Sequence, residues 1–169
     1  MAKIEFEKLF SYSFSLDSVI FGYKDGAINV LLIKRAIEPF SGQWAIPGDL
    51  VYPDEDLPEA ARRILYELTK LDNIDLHQAQ TFGAPNRDPR GRVITVAYYA
   101  LVNLVKHPIK AQSDAKNGDW FKIDELPTLA FDHAHILKVA IERLRSKVRY
   151  QPIGFELLPE KFTLPDMQR

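Results

Sequence analysis

The chain has 169 residues, a length that suits one domain with a buried core. Hydrophobic residues make up 46% and charged residues 27%, which excludes a disordered chain. Twenty-two basic residues against 23 acidic ones give a net charge of −1, so bulk charge does not indicate a nucleic-acid binder. The lack of cysteine excludes disulfides, thiolate metal sites and a cysteine nucleophile. Since the sequence shows neither a membrane span nor a signal peptide, we expect a cytoplasmic protein with no membrane partner.

The first predicted elements are two strands joined as a β-hairpin. Residues 19–21 are apolar and residues 28–33 are apolar except for Asn29; the two segments flank Asp25-Gly26, and an Asp-Gly pair is a strong hairpin signal. A short apolar segment follows at 44–46.

A helix is predicted after a loop at 49–56. Asp56 and Glu59 form a capping-box pair, and Pro58 lies in the first turn, where its missing N–H costs little. Apolar residues then recur at helical spacing: Leu57, Ala60, Ala61, Ile64, Leu65 and Leu68.

The second half of the chain is predicted to contain a loop at 81–91, a buried strand at 93–105 and a short strand at 119–121. A second helix is predicted from Asp132, as its N-cap, to Lys147. The C-terminal half of this helix is basic. Positive charge is favourable near a helix C-terminus, so we expect a solvated face, with a phosphate-facing or partner-facing edge as the alternative.

The segment from Gly48 to Leu71 carries the most specific pattern, GDLVYPDEDLPEAARRILYELTKL. Together with the preceding WAIPG, it resembles the Nudix family, whose box is G-x5-E-x7-R-E-U-x-E-E-x-G-U, where U is a bulky apolar residue. Glu55, Arg63 and Glu67 match this box. The chain departs from the box at four positions. Asp49 and Lys70 stand where the box has glycine, and Ile64 and Leu68 stand where it has glutamate.

The departures bear on catalysis. The family hydrolyses nucleoside diphosphate linkages with Mg²⁺, a hard cation that requires carboxylate and water oxygens. Because Ile64 and Leu68 make that helix face hydrophobic, we predict a non-catalytic protein that needs no metal or other cofactor. The alternative is a Mg²⁺-dependent ADP-ribose pyrophosphatase whose metal site is rebuilt from Glu55, Glu67 and neighbouring acids. Arg63 and Glu67 also have the spacing of an exposed i,i+4 ion pair.

An arginine-rich loop at 85–92 is the second candidate site. It contains Arg87, Arg90 and Arg92, whose guanidinium groups suit bidentate pairing with phosphates, and Asp88 can hold one of them in place. Charge alone favours a solvated turn. However, the sequence RDPRG before VITVAYYALV resembles the Nudix subgroup that handles ADP-ribose and its regulatory relatives.

Two histidines begin the second predicted helix. His133 and His135 are two residues apart and do not share a helix face, so they form a poor metal pair. We expect His133 to be a capping or surface residue, with ligand contact by His133 or Phe131 as the alternative.

The resemblance extends over nearly all of residues 10–168 to one branch, the Nudix-related transcriptional regulators of NAD biosynthesis. RDPRG, LAFDHA and YxPIGFELLPxxFTLPxxQ together carry it. It implies the α+β fold of that family, an α-β-α sandwich with a mixed sheet between helices, as an ADP-ribose-binding domain over residues 1–150. Residues 151–169 are then a linker to a winged helix-turn-helix domain absent from this chain. The resemblance also implies a homodimer that binds DNA only through that absent domain.

The resemblance and the residue chemistry together give a candidate ligand site. Arg35, Arg87 and Arg90 are expected to contact the diphosphate or ribose, and alanine at Arg87 or Arg90 is expected to weaken ADP-ribose binding by about tenfold or more. Trp44 is expected either to contact the base or ribose or, as the alternative, to lie in the hydrophobic core. The full predicted set of ligand-binding residues is Arg35, Trp44, Asp49, Glu55, Arg63, Glu67, Arg87, Arg90, Tyr98 and Phe131. A third hypothesis, a dimerisation module without a ligand, predicts no response to any nucleotide.

Overall fold

A computed structural model of the protein describes residues 11–108 and 117–150. Its first two strands, β1 (Ser13–Lys24) and β2 (Ala27–Lys34), are joined by Asp25-Gly26. Both turn residues have positive φ, 50° and 76°, which is the conformation that a two-residue type I′ turn requires. The predicted hairpin is therefore confirmed. The predicted linker at 151–169 lies outside the described residues.

The described strands form one mixed sheet. After the hairpin come β3 (Trp44–Ala45), β4 (Gly48–Leu50), β5 (His77–Phe82), β6 (Val93–Asn103) and β7 (Gly118–Lys122). The main order is β3-β2-β1-β6-β5, with β4 paired to β1 and β7 paired to β2. β1 and β6 run parallel over eleven residue pairs, from Ser13–Val93 to Tyr23–Asn103.

Two predicted loops were too long. The loop predicted at 49–56 begins inside β4, whose backbone pairs with β1, and the loop predicted at 81–91 begins inside β5, which the prediction missed. β5 carries a register shift between Gln78 and Gln80, which breaks the simple alternation that marks a strand in sequence. The strands at 93–105 and 119–121 are confirmed with shifted ends.

The sheet lies between two helices, α1 (Leu57–Thr69) and α2 (His133–Tyr150). Successive strand residues face opposite sides, so Leu16 of β1 packs towards α1 and Val19 packs towards α2. The predicted α-β-α sandwich is thus confirmed. Neither of these described helices combines the length and the apolar composition needed to cross a membrane.

Helix α1 begins as the capping box predicts. The carboxylate of Asp56 accepts a hydrogen bond from the Leu57 N–H at 2.6 Å, and the Glu59 carboxylate accepts one from the Asp56 N–H at 2.8 Å. These bonds satisfy backbone donors that have no partner inside the helix.

The end of α1 leads to a stability prediction. Lys70 ends the helix in the left-handed conformation, with φ 58° and ψ 16°, where a side chain is strained and glycine is not. We expect Lys70→Gly to raise the free energy of unfolding by about 1 kcal/mol in urea denaturation. Lys70→Ala is the matched control, because it keeps the Cβ atom and should not raise the free energy of unfolding. Equal stability of the two variants would contradict the strain argument.

Candidate functional site

Arg87 fixes the arginine-rich loop to the start of α2. Its Nε and Nη2 atoms donate to the two carboxylate oxygens of Asp132 at 2.9 and 2.8 Å. Nη2 also lies 3.8 Å from Oδ2 of Asp17, and the Arg87 side chain is only 4% exposed. Asp132 stands at the predicted N-cap position directly before α2, and its carbonyl oxygen accepts the Ile136 N–H at 3.1 Å, but its carboxylate holds Arg87 instead of a helix N–H.

Asp88 and Arg90 form a second pair in the same loop. Arg90 donates from Nε to Oδ1 at 3.0 Å and from Nη2 to Oδ2 at 2.7 Å, and its backbone N–H donates to Oδ1 at 2.9 Å. These hydrogen bonds lower the pKa of the buried Asp88 carboxyl. The predicted positioning role of Asp88 is confirmed. The Arg90 side chain remains 53% exposed, so it can also contact a ligand.

Phe131 brings two arginines together. The guanidinium carbon of Arg35 lies 4.8 Å from the centre of the Phe131 ring, and that of Arg90 lies 5.5 Å away. Arg35 donates to the carbonyls of Pro39 and Ile37 and, among the described residues, has no carboxylate partner within ion-pair distance. Burial and the nearby Arg90 lower the pKa of Arg35. This arrangement concentrates positive charge beside an aromatic ring.

These groups surround a cavity of about 520 Å³, which falls within the size range of small-molecule sites. It lies on the α2 side of the sheet, where β1, β2 and β4 meet the arginine-rich loop. Of the predicted set, five residues line it, and these are Arg35, Asp49, Arg87, Arg90 and Phe131.

The floor of the cavity contains two buried polar residues that the sequence analysis missed or misplaced. Asp17 accepts a hydrogen bond from the Thr95 hydroxyl at 2.7 Å. His133 was expected at the surface or as a cap, but it is buried and its Nδ1 accepts the Ile46 N–H at 2.9 Å. The ring proton of the neutral histidine therefore lies on Nε2, 3.5 Å from Oδ1 of Asp17. The one signal for Asp17 was an acid inside an apolar strand.

Burial of His133 gives a pH prediction. Desolvation lowers its pKa below 6.5 and outweighs the opposite effect of Asp17 and Asp132, while Arg87 and Arg35 lower the pKa further. The unfolded chain therefore binds a proton that the folded protein does not. We expect the His133 contribution to stability to be fully present above about pH 6.5 and to be lost as pH falls below it.

The measurement is urea denaturation across pH 7.5 to about 5.5. In His133→Gln the dependence of stability on pH should be weaker than in the wild type. His135→Gln, which replaces an exposed histidine two residues further on, should retain the wild-type slope. An unchanged slope in His133→Gln would refute the assignment.

A cluster around Arg63 contains what remains of the acidic box. Arg63 pairs with both oxygens of Glu55 at 2.9 and 2.7 Å and with Asp49 at 2.9 Å, and it lies 3.7 Å from Glu67. Its guanidinium stacks 3.9 Å from the Tyr52 ring centre. Hydrogen bonding to Arg63 lowers the pKa of Glu55 to about 2. The i,i+4 contact with Glu67 is thus the longest of the three ion pairs.

Two predicted aromatic contacts lie outside the residues that line the cavity. Trp44 packs edge-on against Phe121, with ring centres 4.8 Å apart, which matches its alternative place in the core. Tyr98 is buried with Ile64 on the α1 side of the sheet. Thr95 and Ala97 face the cavity side, so the alternation of β6 directs Tyr98 the other way.

A family model described as the NUDIX domain matches residues 16–143. The chain belongs to the Nudix family. The ADPR responsive transcriptional repressor NtrR of Acinetobacter baylyi is 35% identical over 158 residues, covering 91% of this chain and 63% of the repressor. An ADP-ribose pyrophosphatase of Methanocaldococcus jannaschii is 38% identical over 109 residues, covering 64% of this chain and 63% of that enzyme. The chain thus spans less than two thirds of either relative.

A solved Nudix structure is also similar. The NUDIX domain of Shewanella oneidensis NrtR, in a cocrystal with ADP ribose, has a TM-score of 0.67 and 29% identity. The match covers 85% of this chain and 95% of that domain. The Nudix fold and the resemblance to the regulator branch are therefore confirmed.

The Mg²⁺ site associated with the Nudix box does not fit the residues present. Ile64 is buried against Leu16, and Leu68 packs against the same apolar cluster, so neither position offers an oxygen. Among the acids that remain, Asp49 and Glu55 are paired with Arg63. Within residues 11–108 and 117–150, no three His, Cys, Asp or Glu side chains come together in an arrangement that could hold a metal.

Proposed function

We propose that this Nudix domain binds ADP-ribose as the effector of a transcriptional repressor and does not hydrolyse it. The observation that carries the proposal is the pair of guanidinium groups, from Arg35 and Arg90, that meet over Phe131 in the cavity. Support comes from the similar repressor named as ADPR responsive and from the similar domain crystallised with ADP ribose.

The charges in the cavity suit a diphosphate. Arg87 is matched by two carboxylates and Arg90 by one, whereas Arg35 donates to carbonyls and, among the described residues, has no carboxylate within ion-pair distance. A guanidinium fork that is not already held by a carboxylate can bind phosphate oxygens with two parallel hydrogen bonds. Phe131 and the exposed Ile37 add apolar surface at the mouth, where a nucleotide base can pack.

The absence of hydrolysis is proposed from the box. Ile64 and Leu68 remove two oxygen ligands, and Arg63 pairs with the acids that remain. A sensor that cleaved its own signal would also erase it. The second candidate function is Mg²⁺-dependent ADP-ribose pyrophosphatase, which is favoured by the 38% identity to an enzyme of that name.

Calorimetry separates the two functions. The 169-residue protein is titrated with ADP-ribose in magnesium and, separately, in EDTA, and the cell contents are then analysed for AMP. The sensor predicts saturable binding of equal affinity in both buffers, with the ligand intact. Release of AMP and ribose 5-phosphate only with magnesium would establish the enzyme, and Glu67→Gln should then abolish turnover. No binding in either buffer would reject both functions.

The regulator hypothesis includes two further proposals. One is that the protein is a homodimer, which light scattering of the purified chain tests directly. The other is that residues 1–150 form the sensing domain and residues 151–169 lead to a separate winged helix-turn-helix domain that binds DNA. Since ADP-ribose can release DNA only if the two states of the protein bind it differently, the full-length protein should bind operator DNA more weakly with ADP-ribose.

A further inference from the structure

Asp17 places a buried carboxylate on the floor of a cavity that is also lined by four arginines and by two other acids, Asp49 and Asp88. Asp17 is 6% exposed and lines the cavity. Its Oδ2 atom is held by the Thr95 hydroxyl at 2.7 Å and lies 3.8 Å from Nη2 of Arg87. This side of the carboxylate is therefore fixed by protein groups.

The other carboxylate oxygen lacks a close donor. Among the described residues, Nε2 of His133 lies 3.5 Å from Oδ1, and this separation exceeds the usual N–H···O range. An ionised carboxylate has about four acceptor sites, and those of Oδ1 are not filled by a short hydrogen bond from His133. Oδ1 is thus an acceptor that faces the cavity and has capacity for another donor.

Gly48 keeps the space beside Oδ1 open. Gly48 of β4 is the register partner of Asp17 in β1. A Cβ atom at this position would lie 2.5 Å from Oδ1 of Asp17 and 2.7 Å from the Leu16 carbonyl oxygen. Any other residue would therefore press on the carboxylate that the strand pairing brings here.

We propose that Asp17 determines the specificity of the cavity, with Oδ1 accepting a hydrogen bond from a hydroxyl of the terminal ribose of ADP-ribose. The inference rests on the proposed function and adds the orientation of the ligand. A phosphate at the floor would meet the negative charge of Asp17 and is excluded. Arg35 and Arg90 meet over Phe131, and both are less buried than Asp17, so they take the diphosphate while the sugar reaches the floor.

The test compares ADP-ribose with ADP, which lacks the terminal ribose, on the 169-residue protein by calorimetry. The wild type should bind ADP-ribose at least about tenfold more tightly than ADP. Asp17→Ala should reduce the ratio of the affinity for ADP-ribose to that for ADP to about one, mainly by weakening the binding of ADP-ribose. If Asp17→Ala does not fold, Asp17→Asn, which has nearly the same volume and no charge, should also lower the ratio.

Two control variants separate this effect from others. Thr95→Val removes the hydroxyl that holds Oδ2 and should lower the melting temperature while the preference for ADP-ribose persists. Arg90→Ala should weaken both ligands by a similar factor, because both carry the diphosphate. A wild type that binds ADP as tightly as ADP-ribose would overturn the inference, as would Asp17 variants that keep the preference. Binding of neither nucleotide would instead overturn the proposed function.

Discussion

Arg87→Ala is expected to lower the free energy of unfolding by about 3–5 kcal/mol, the usual cost of removing one partner of a buried ion pair. Arg87 is 4% exposed and binds Asp132 through two hydrogen bonds while lying 3.8 Å from Asp17. Without it, two carboxylates would remain close to the buried His133 with no guanidinium between them. Urea denaturation measures the loss, since the described residues form a single sheet with one helix on each face.

Arg92→Ala is the matched control for Arg87→Ala. Arg92 belongs to the same loop and donates to the Gly83 carbonyl oxygen at 2.6 Å, and no carboxylate partner lies within ion-pair distance among the described residues. Its loss should cost less than about 1 kcal/mol. Equal stability of the two variants would show that the Arg87 ion pairs contribute little. A weakened ADP-ribose affinity in Arg87→Ala, as expected from the sequence, must therefore be separated from loss of the fold.

The elements that the sequence predicts well are those whose signals are local. The Asp25-Gly26 turn and the Asp56 capping box depend on residues within three positions of each other, and both are confirmed. Strand β4 is different, because its three residues become a strand only through pairing with β1. β5 has no regular alternation across its register shift. Such elements are determined by contacts between residues distant in sequence, and local sequence patterns do not predict these contacts.

The candidate site shows the same division. The arginine-rich loop is evident from composition, and Asp88 is close enough in sequence to be paired with Arg90. The pairing of Arg87 with Asp132 spans 45 positions, and that of Thr95 with Asp17 spans 78. No local pattern links these residues, so the floor of the cavity was absent from the predicted set.

The register of β6 explains the misplaced aromatic residue. In an apolar strand buried on both faces, sequence alone does not say which residues face the ligand and which face α1. The structure resolves this through Thr95, whose hydroxyl binds Asp17 on the cavity side, and through Tyr98, which packs with Ile64 on the other. Because successive residues of a strand face opposite sides of the sheet, a shift of one position turns a residue that faces the ligand into one that faces the core.

The cluster around Arg63 changes how the substitutions in the box are understood. In the sequence alone, Ile64 and Leu68 are understood as replacements of two glutamates that would bind the metal. In the structure they also extend the apolar packing of α1. Asp49, in the place of a box glycine, adds a further acid to Arg63 and accepts a hydrogen bond from the Tyr52 hydroxyl at 3.0 Å. The region is held together by a guanidinium and its acids, of which only Asp49 also lines the cavity.

The largest effect on ligand affinity is expected from the two arginines over Phe131. Arg35→Ala and Arg90→Ala should each weaken ADP-ribose binding by about tenfold or more, which corresponds to one charge-assisted hydrogen bond of about 1.5–3 kcal/mol. The double variant should lose at least about a hundredfold if the two contacts are independent. Calorimetry without magnesium measures these affinities, and melting temperatures show whether the variants remain folded.

Arg62→Ala provides the matched control, because Arg62 is an exposed cation on α1 and does not line the cavity. Its affinity should equal that of the wild type, which excludes a general effect of lowering the positive charge. Arg90→Lys keeps the charge but loses the planar fork, so its affinity should fall between those of the wild type and Arg90→Ala. If the Arg35 and Arg90 double variant binds ADP-ribose like the wild type, the diphosphate is held elsewhere, and the cavity beside Phe131 is not the effector site.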